Sequence, residues 1–399
     1  MARRYLPDAL RSEWSAGCRL SCTVSAKTRI PGPHLGHQMS KRALITGITG
    51  YVGRGVARRL LEDGFEIIGL VRNSKDDFET RVAELRADLG ESEKLTFVRG
   101  DMTDDSALKE LNVKGITHIV HSAAVTRFNV EADLAQTANV DGSRNIYEWA
   151  KGCPQLGCFS YISTIYACGL VDGEVLETRH QGPRTFANHY ENSKFDAEAL
   201  LQKEYGELPW QIMRVATIIA DDDHGGVTQQ NAFHNTLKLF FYGLLSLVPG
   251  KAEVPLYFVT GRFVVDAIAE LTQHCERQSI VHICHSQDET PTLGELLNLA
   301  YDRFSEEEDF RSRNILRPLL CDAESFGLLA GEAEDMGATV MSQSLGSIAP
   351  FAKELFTVKD IKNDRFRAAL KDYRAPDPKV LLNAVCSHLI KTRWGKRAG

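Results

Sequence analysis

The stretch over residues 43–72, ALITGITGYVGRGVARRLLEDGFEIIGLVR, constrains the fold more than any other part of this 399-residue chain. Ala43-Leu44-Ile45 is a short apolar run bounded by turn residues, the pattern of a strand buried on both faces. Gly47, Gly50 and Gly53 follow in a GxxGxxG spacing. The first permits a tight turn, the second lets backbone N–H groups approach a diphosphate, and the third lets a helix pack closely on the strand. A helix is expected over residues 51–62, with Val52, Val56, Leu60 and Leu61 on its apolar side and Gly64 at its end. Residues 65–71 read as the second strand. In such a βαβ unit the diphosphate rests on the helix N-terminus, beside Thr49, Tyr51 and Val52.

The second strand ends at Arg72, where a carboxylate would select a ribose 2′-hydroxyl. A cation suits a 2′-phosphate instead, so NADPH is the expected cofactor, with Arg81 as a further cationic contact. The plain alternative is a solvated loop arginine. Downstream, residues 75–90 read as a charged surface helix and 95–99 as a third strand, leaving Asp101 and Met102 in the loop that lines an adenine pocket. Residues 117–121 form a fourth strand. It runs into Ser122, Ala123 and Ala124, whose small side chains let the backbone pass close to a cofactor. His121 reads either as part of that wall or as a satisfied core histidine. A helix over 132–151 carries Asn139, and 159–163 is the fifth strand. This alternation implies an α/β fold with one parallel sheet covered on both faces.

Ser163-Thr164 closes the fifth strand, and Tyr190-Glu-Asn-Ser-Lys194 opens the next helix. Tyrosine and lysine four apart share a helix face. A phenol titrating near ~10 is a poor acid or base at neutral pH until an ammonium stabilises its anion. Lys194 is placed to do that, and Thr164 to orient a substrate oxygen. An exposed Tyr–Lys pair on a surface helix is the bland alternative.

Together the motifs TGITGYVG, HSAA, ANVDG, YISTIYACG and NHYENSKFDAE resemble the extended short-chain dehydrogenase/reductase family, over residue 41 to about 356. They are most like its thioester-reductase and fatty acyl-CoA reductase branch. The resemblance implies a Rossmann doubly wound sheet followed by a smaller, mostly helical substrate part. It implies Thr164, Tyr190 and Lys194 as the catalytic set with Asn139 assisting, and Thr164 rather than Ser163 because it stands five residues before Gly169. It implies NADPH-dependent reduction of an acyl thioester, on coenzyme A or a carrier protein, to aldehyde or alcohol. The same set serves ketone or secondary-alcohol dehydrogenases and nucleotide-sugar epimerases. A non-catalytic, cofactor-binding regulatory protein is a third reading, at odds with the intact Tyr190 and Lys194. Two features depart from the family pattern: Arg214-Val215 stands where Arg-Pro is usual, and the loop Asp221-Asp222-Asp223-His224-Gly225-Gly226 is acidic. That loop mimics a metal site but is expected to be solvated.

Residues 1–38 are rich in arginine, poor in acids and broken by Pro31-Gly32-Pro33, so disorder is expected there. Such a segment reads as a transit peptide or as sequence upstream of a natural start at Met39. The expected division is a cofactor domain over 39–220, rejoined by 257–290, with substrate-binding parts at 221–256 and 291–399. A helix over 237–248 is too short to span a bilayer and packs a core or walls an acyl chain. A further helix is expected over 291–304, capped by Thr292 with Glu295. Residues 305–347 are acidic and poorly periodic, a lid or partner surface, and 376–390 is a closing helix. A net charge of −6 gives no electrostatic case for binding nucleic acid. Nine cysteines without zinc spacing point to free thiols in a reducing, cytoplasmic setting. A carrier protein is expected to come from another chain, and a homodimer remains open.

Overall fold

The computed structural model describes residues 41–72, 77–104, 108, 109, 111–328, 346, 348–370 and 374–395. The expectations for residues 1–38, and for the later part of 305–347, lie outside these. Along the first half the elements are β1 (Arg42–Thr46), α1 (Tyr51–Glu62), β2 (Glu66–Val71), α2 (Phe78–Leu89), β3 (Leu95–Arg99) and β4 (His118–His121). The next helical run has three pieces: α3 (Ala132–Ala135), a π-helical turn (Gln136–Asp141) and α4 (Gly142–Lys151). Then come β5 (Cys158–Thr164), β6 (Gly173–Val175), α5 (His189–Glu204), β7 (Trp210–Val215) and β8 (Thr217–Ala220).

Seven parallel strands form the main sheet, and the last of them is β11 (Ser279–Ile283), which pairs with β7 in the register Ser279↔Gln211 to Ile283↔Val215. The order is β11-β7-β5-β4-β1-β2-β3. Chain direction reverses across β1, with β2 on one side and β4 on the other, so the crevice of a doubly wound sheet opens at the carboxyl ends of β1 and β4. Central strands buried on both faces explain why the apolar runs read so plainly: every residue of β7 is buried.

Between β8 and β11 lie α6 (Ala232–Phe241), β9 (Leu247–Pro249), β10 (Phe258–Thr260) and α7 (Gly261–Gln273). The helix expected over 237–248 is displaced towards the N-terminus and shorter. Asn231 caps it through the Phe233 N–H at 3.0 Å, and His234 Nδ1 accepts from the Asn231 N–H at 3.0 Å. Gly243, at φ +72°, ends it. The Leu244 N–H reaches back to the Leu239 carbonyl and the Gly243 N–H to the Phe240 carbonyl, both at 2.9 Å, the Schellman closure. The apolar run therefore continues past the helix, and its end becomes β9.

The C-terminal part contains α8 (Leu293–Phe304), α9 (Glu308–Ser312), β12 (Leu319–Cys321), β13 (Lys359–Ile361), α10 (Asp364–Ala369) and α11 (Pro378–Lys391). Thr292 and Glu295 cap α8 reciprocally, at 3.3 and 2.9 Å, as the spacing predicts. A second core unites α6, α8 and α11 around Phe240, Phe304, Phe310 and Trp394. Yet β13 pairs with β6, and Ile361 and Phe366 join the core of the sheet. This returning segment brings residues 348–361 onto the start of α5. No helix among the described residues is long and apolar enough to cross a membrane.

The glycine turn supplies a stability test. A Cβ on Gly53 would stand well inside van der Waals contact of the Gly47 carbonyl, and backbone cannot give way there. Gly53→Ala is expected to cost ~1–3 kcal/mol in urea unfolding, as overpacking does. Gly206→Ala, whose Cβ would meet only ordinary contact at 3.6 Å, should change stability by less than ~0.5 kcal/mol.

Candidate active site

A cleft of about 910 Å³ opens along the carboxyl ends of the central strands. One end is walled by Gly47, Thr49, Gly50, Tyr51 and Val52, by Arg72 at the exposed rim, by Asp101 and Met102, and by Ser122, Ala123 and Ala124. A Cβ on Gly47 would lie 2.6 Å from the Ala123 nitrogen, so only glycine lets the two loops meet. At the head of α1, the N-cap Gly50 contributes no side-chain bond and the first turn holds no acid. Its N–H groups are thus offered to the cleft, which fits the diphosphate of a dinucleotide. Gly53 lies behind this surface, packed on the turn. Arg81 and Asn139 are likewise outside the cleft lining.

Thr164, Tyr190 and Lys194 line the middle of the same cleft. Thr164 stands at the end of β5, where its Oγ1 accepts the Tyr166 N–H at 3.3 Å. Burial, aided by Glu191, raises the Tyr190 pKa above its ordinary value, and the nearby Thr164 hydroxyl works against that rise. Lys194 takes a different partner from the one its spacing suggests. Its Nζ donates to the Ile162 backbone carbonyl at 2.8 Å, rather than to the phenol, and lies 4.1 Å over the Tyr161 ring. Burial pulls its pKa down to about 7, with Glu198 opposing.

Behind Thr164 and Tyr190 sits a fixed polar scaffold. Asn139 Oδ1 accepts the Val125 N–H at 2.7 Å, and its Nδ2 donates to the Val125 carbonyl at 3.0 Å and to Ser193 Oγ at 2.9 Å. It staples the loop after β4 to α5 from inside the π-helical turn. His121 proves to be a core histidine: Nδ1 meets Thr46 Oγ1 at 2.7 Å and Nε2 meets Ser143 Oγ at 2.9 Å. Burial, with the nearby Lys194 charge, drops its pKa to about 3. Ser163 is committed as well, donating to Glu198 Oε1 at 2.5 Å. Glu198 and Arg214, 1% and 0% exposed, form a bidentate pair, with Arg214 Nε at 3.1 Å from both oxygens and Nη2 at 2.7 Å. Arg214 Nη1 adds the Thr178 carbonyl at 3.1 Å and His282 Nε2 at 3.2 Å.

Two features of the cleft were not anticipated. The Tyr51 hydroxyl donates to Asp221 Oδ1 at 2.7 Å, spanning from the glycine turn to the acidic loop, and Gly261 leaves the room for it. Asp221 also accepts the Thr228 N–H and hydroxyl, at 2.8 and 3.0 Å, so the loop's first carboxylate is held by the chain itself. Glu191, Glu354 and Lys359 gather in the wall beside Tyr190. The only sequence signal for them was a carboxylate directly after the tyrosine.

A glycine turn at the switch point, a wall of small residues and Thr164, Tyr190 and Lys194 along the same cleft define the class by its fold: a Rossmann-type doubly wound sheet with a cleft shaped for a dinucleotide. Residues 45–268 match the family model of the NAD-binding male sterility protein family, and the chain belongs to that family. It is 29% identical over 165 residues to a probable fatty acyl-CoA reductase 5 of Arabidopsis thaliana, covering 35% of this chain and 33% of the relative. It is 35% identical over 138 residues to GDP-mannose 4,6 dehydratase of Cricetulus griseus, covering 33% of each. The chain thus spans about a third of the length of these curated relatives. In fold it is similar to the terminal R domain of the myxalamid PKS-NRPS pathway, with a TM-score of 0.68 and 19% identity over 90% of this chain and 93% of that one. It is also similar to a thiolation-reductase di-domain of an archaeal non-ribosomal peptide synthetase, with a TM-score of 0.65 and 19% identity over 89% and 76%.

Removing one partner of the buried pair should be severe. Arg214→Met leaves Glu198 charged and unpaired, and a loss of ~3–5 kcal/mol in denaturant unfolding is expected. Arg214→Met with Glu198→Leu should cost much less than the sum of the single changes, and strict additivity would remove the pair from this role.

Proposed function

We propose that the protein is an NADPH-dependent reductase of an acyl thioester, delivered on coenzyme A or a carrier protein, forming an aldehyde or alcohol. The observation that carries this reading is the far wall of the cleft. Phe233, Leu237, Phe240, Leu245, Leu296 and Leu297 form an apolar part of that lining. These side chains suit an acyl chain and offer the hydroxyls of a sugar no bond. Likeness to a named fatty acyl-CoA reductase and to reductase-domain folds supports the same choice. Arg72 at the rim supports NADPH over NADH. The described cysteines are free thiols, which supports a cytoplasmic setting.

A reduced nicotinamide in this cleft supplies hydride to the thioester carbonyl carbon. The chain's own work is at the oxygen. Thr164 and Tyr190 donate hydrogen bonds to it as negative charge develops, and Tyr190 delivers the proton. Collapse of the thiohemiacetal then releases thiol and aldehyde. Lys194, with its pKa near 7, gains a proton readily once negative charge arrives beside it. A second reading, a nucleotide-sugar dehydratase or epimerase, is favoured by the likeness to GDP-mannose 4,6 dehydratase.

The deciding experiment offers the purified protein NADPH with acyl-coenzyme A thioesters of several lengths, ketones and nucleotide sugars, following absorbance and products. Turnover of long-chain thioesters is expected, and turnover of nucleotide sugars alone would replace this reading with the second. Tyr190→Phe and Thr164→Ala should each lower turnover by about a hundredfold, ~3 kcal/mol, without unfolding the protein. Lys194→Ala should weaken cofactor affinity as well as rate. Full activity of Tyr190→Phe would withdraw the catalytic assignment.

For cofactor choice, titration of both nucleotides against Arg72→Asp should show weaker NADPH binding with NADH tolerated. Unchanged relative affinities would remove the argument from Arg72.

A further inference from the structure

Three ionisable side chains that the hydride chemistry leaves unused are buried together beside Tyr190. Glu191, Glu354 and Lys359 are 1%, 8% and 5% exposed. Glu191 follows Tyr190 on α5 and closes the start of that helix. Asn188 accepts the Glu191 N–H at 3.0 Å, while the Glu191 carboxyl accepts Asn188 Nδ2 at 2.9 Å and the Ala187 N–H at 3.0 Å. Asn188 Nδ2 also donates to the Pro350 carbonyl at 3.1 Å, which draws the 348–361 segment onto the helix. From that segment Phe351 packs on Phe128, and Phe128 packs on Tyr190, with ring centroids 6.0 Å apart in each pair.

Glu354 comes from the same segment, lines the same wall and lies close enough to Glu191 for the two carboxyls to act on each other. Its Oε2 is paired with the Lys359 ammonium, whereas its Oε1 is buried and has no donor as long as both acids are ionised. A buried acceptor without a donor is costly, and two carboxylates in contact away from water do not both ionise. One proton on Glu191 removes both costs. It satisfies Oε1 and leaves a single charge on Glu354, neutralised by Lys359.

We propose that Glu191 is a positioning residue for Tyr190: as a neutral acid it donates to Glu354, clamps the start of α5 to the 348–361 segment, and keeps a second negative charge away from the tyrosine. This rests on the reading of Tyr190 as the proton donor. Burial, then the Glu354 charge, raises the Glu191 pKa to about 8, against the pull of Lys359 and of the Ala187 and Asn188 donors. The other titratable groups facing it are Tyr190 on its own helix, Tyr166 and Cys168 on the turn after β5, and Glu354 and Lys359. Burial raises Tyr166, and Cys168 to about 11, so both stay neutral near pH 8. Above pH 8 Glu191 ionises against Glu354, the clamp loosens, and proton donation from Tyr190 grows harder. Lys194 titrates lower, near 7, one turn further along α5.

The test compares wild type, Glu191→Gln, Glu191→Ala and Glu354→Gln across pH 6 to 10, a range set about ~2 units either side of pH 8. A glutamine at 191 donates to Glu354 and accepts from Ala187 at every pH. Glu191→Gln should therefore keep kcat at neutral pH and lose the alkaline fall seen in wild type, while Glu191→Ala should lower kcat by about tenfold throughout with KM little changed. Infrared spectroscopy gives a readout free of turnover. The stretching band of a protonated carboxyl should be present in wild type at pH 7, fade above pH 8, and be missing from Glu191→Gln and from Glu354→Gln. A wild-type protein without that band, or an alkaline fall retained in Glu191→Gln, overturns the proposal. Full activity of Tyr190→Phe would overturn the catalytic reading instead, and the infrared result would still stand by itself.

Discussion

The geometry of the cleft depends on the ion pair between Glu198 and Arg214. The two hydroxyls proposed to act on a substrate line one cleft but come from different elements, Thr164 from the end of β5 and Tyr190 from the start of α5. Neither element touches the other through a backbone ladder. Glu198, one turn beyond Lys194 on α5, binds Arg214 of β7 and the Ser163 hydroxyl of β5 at once. Arg214 in turn reaches His282 on β11 and the Thr178 carbonyl. Desolvating two charges is expensive, and Coulomb attraction alone does not offset it. Here both oxygens and every terminal nitrogen of the guanidinium are engaged, so the pair costs little once formed and tolerates one arrangement only. That rigidity is what holds Thr164 and Tyr190 on the wall of one cleft.

How far the sequence carries a reader follows from the range over which each feature is decided. The strands of the sheet were legible because each is a local apolar run buried on both faces, and β3 falls on its expected residues, 95–99. The glycine turn was legible because its chemistry is contained in seven residues. The end of α6 was not. Its apolar run continues through Leu244 and Leu245, and only the left-handed backbone at Gly243 reveals the stop. The π-helical turn around Asn139 was hidden for another reason: its extra residue is set by bonds to Val125 and Ser193, which lie on other elements. Spacing put Tyr190 and Lys194 on one helix face but could not say where the ammonium points. In the folded chain it donates to the Ile162 carbonyl of β5. Glu354 and Lys359 were invisible, because a three-residue strand pairing of β13 with β6 brings them from far along the chain.

One electrostatic pattern runs through the site. Burial pushes each isolated ionisable group towards its neutral form: Tyr190 up, Lys194 down to about 7, His121 down to about 3 and Glu191 up to about 8. The charges that persist are matched in pairs, Glu198 with Arg214 and Glu354 with Lys359. A wall of this kind presents little net field of its own. Negative charge developing on a substrate oxygen in a low-dielectric space is then felt most by the group whose protonation is most evenly balanced. Lys194 is that group near neutral pH. In the proposed reduction its charge follows the chemistry rather than preceding it, and a neutral Glu191 spares the tyrosine from giving up its proton next to a second anion.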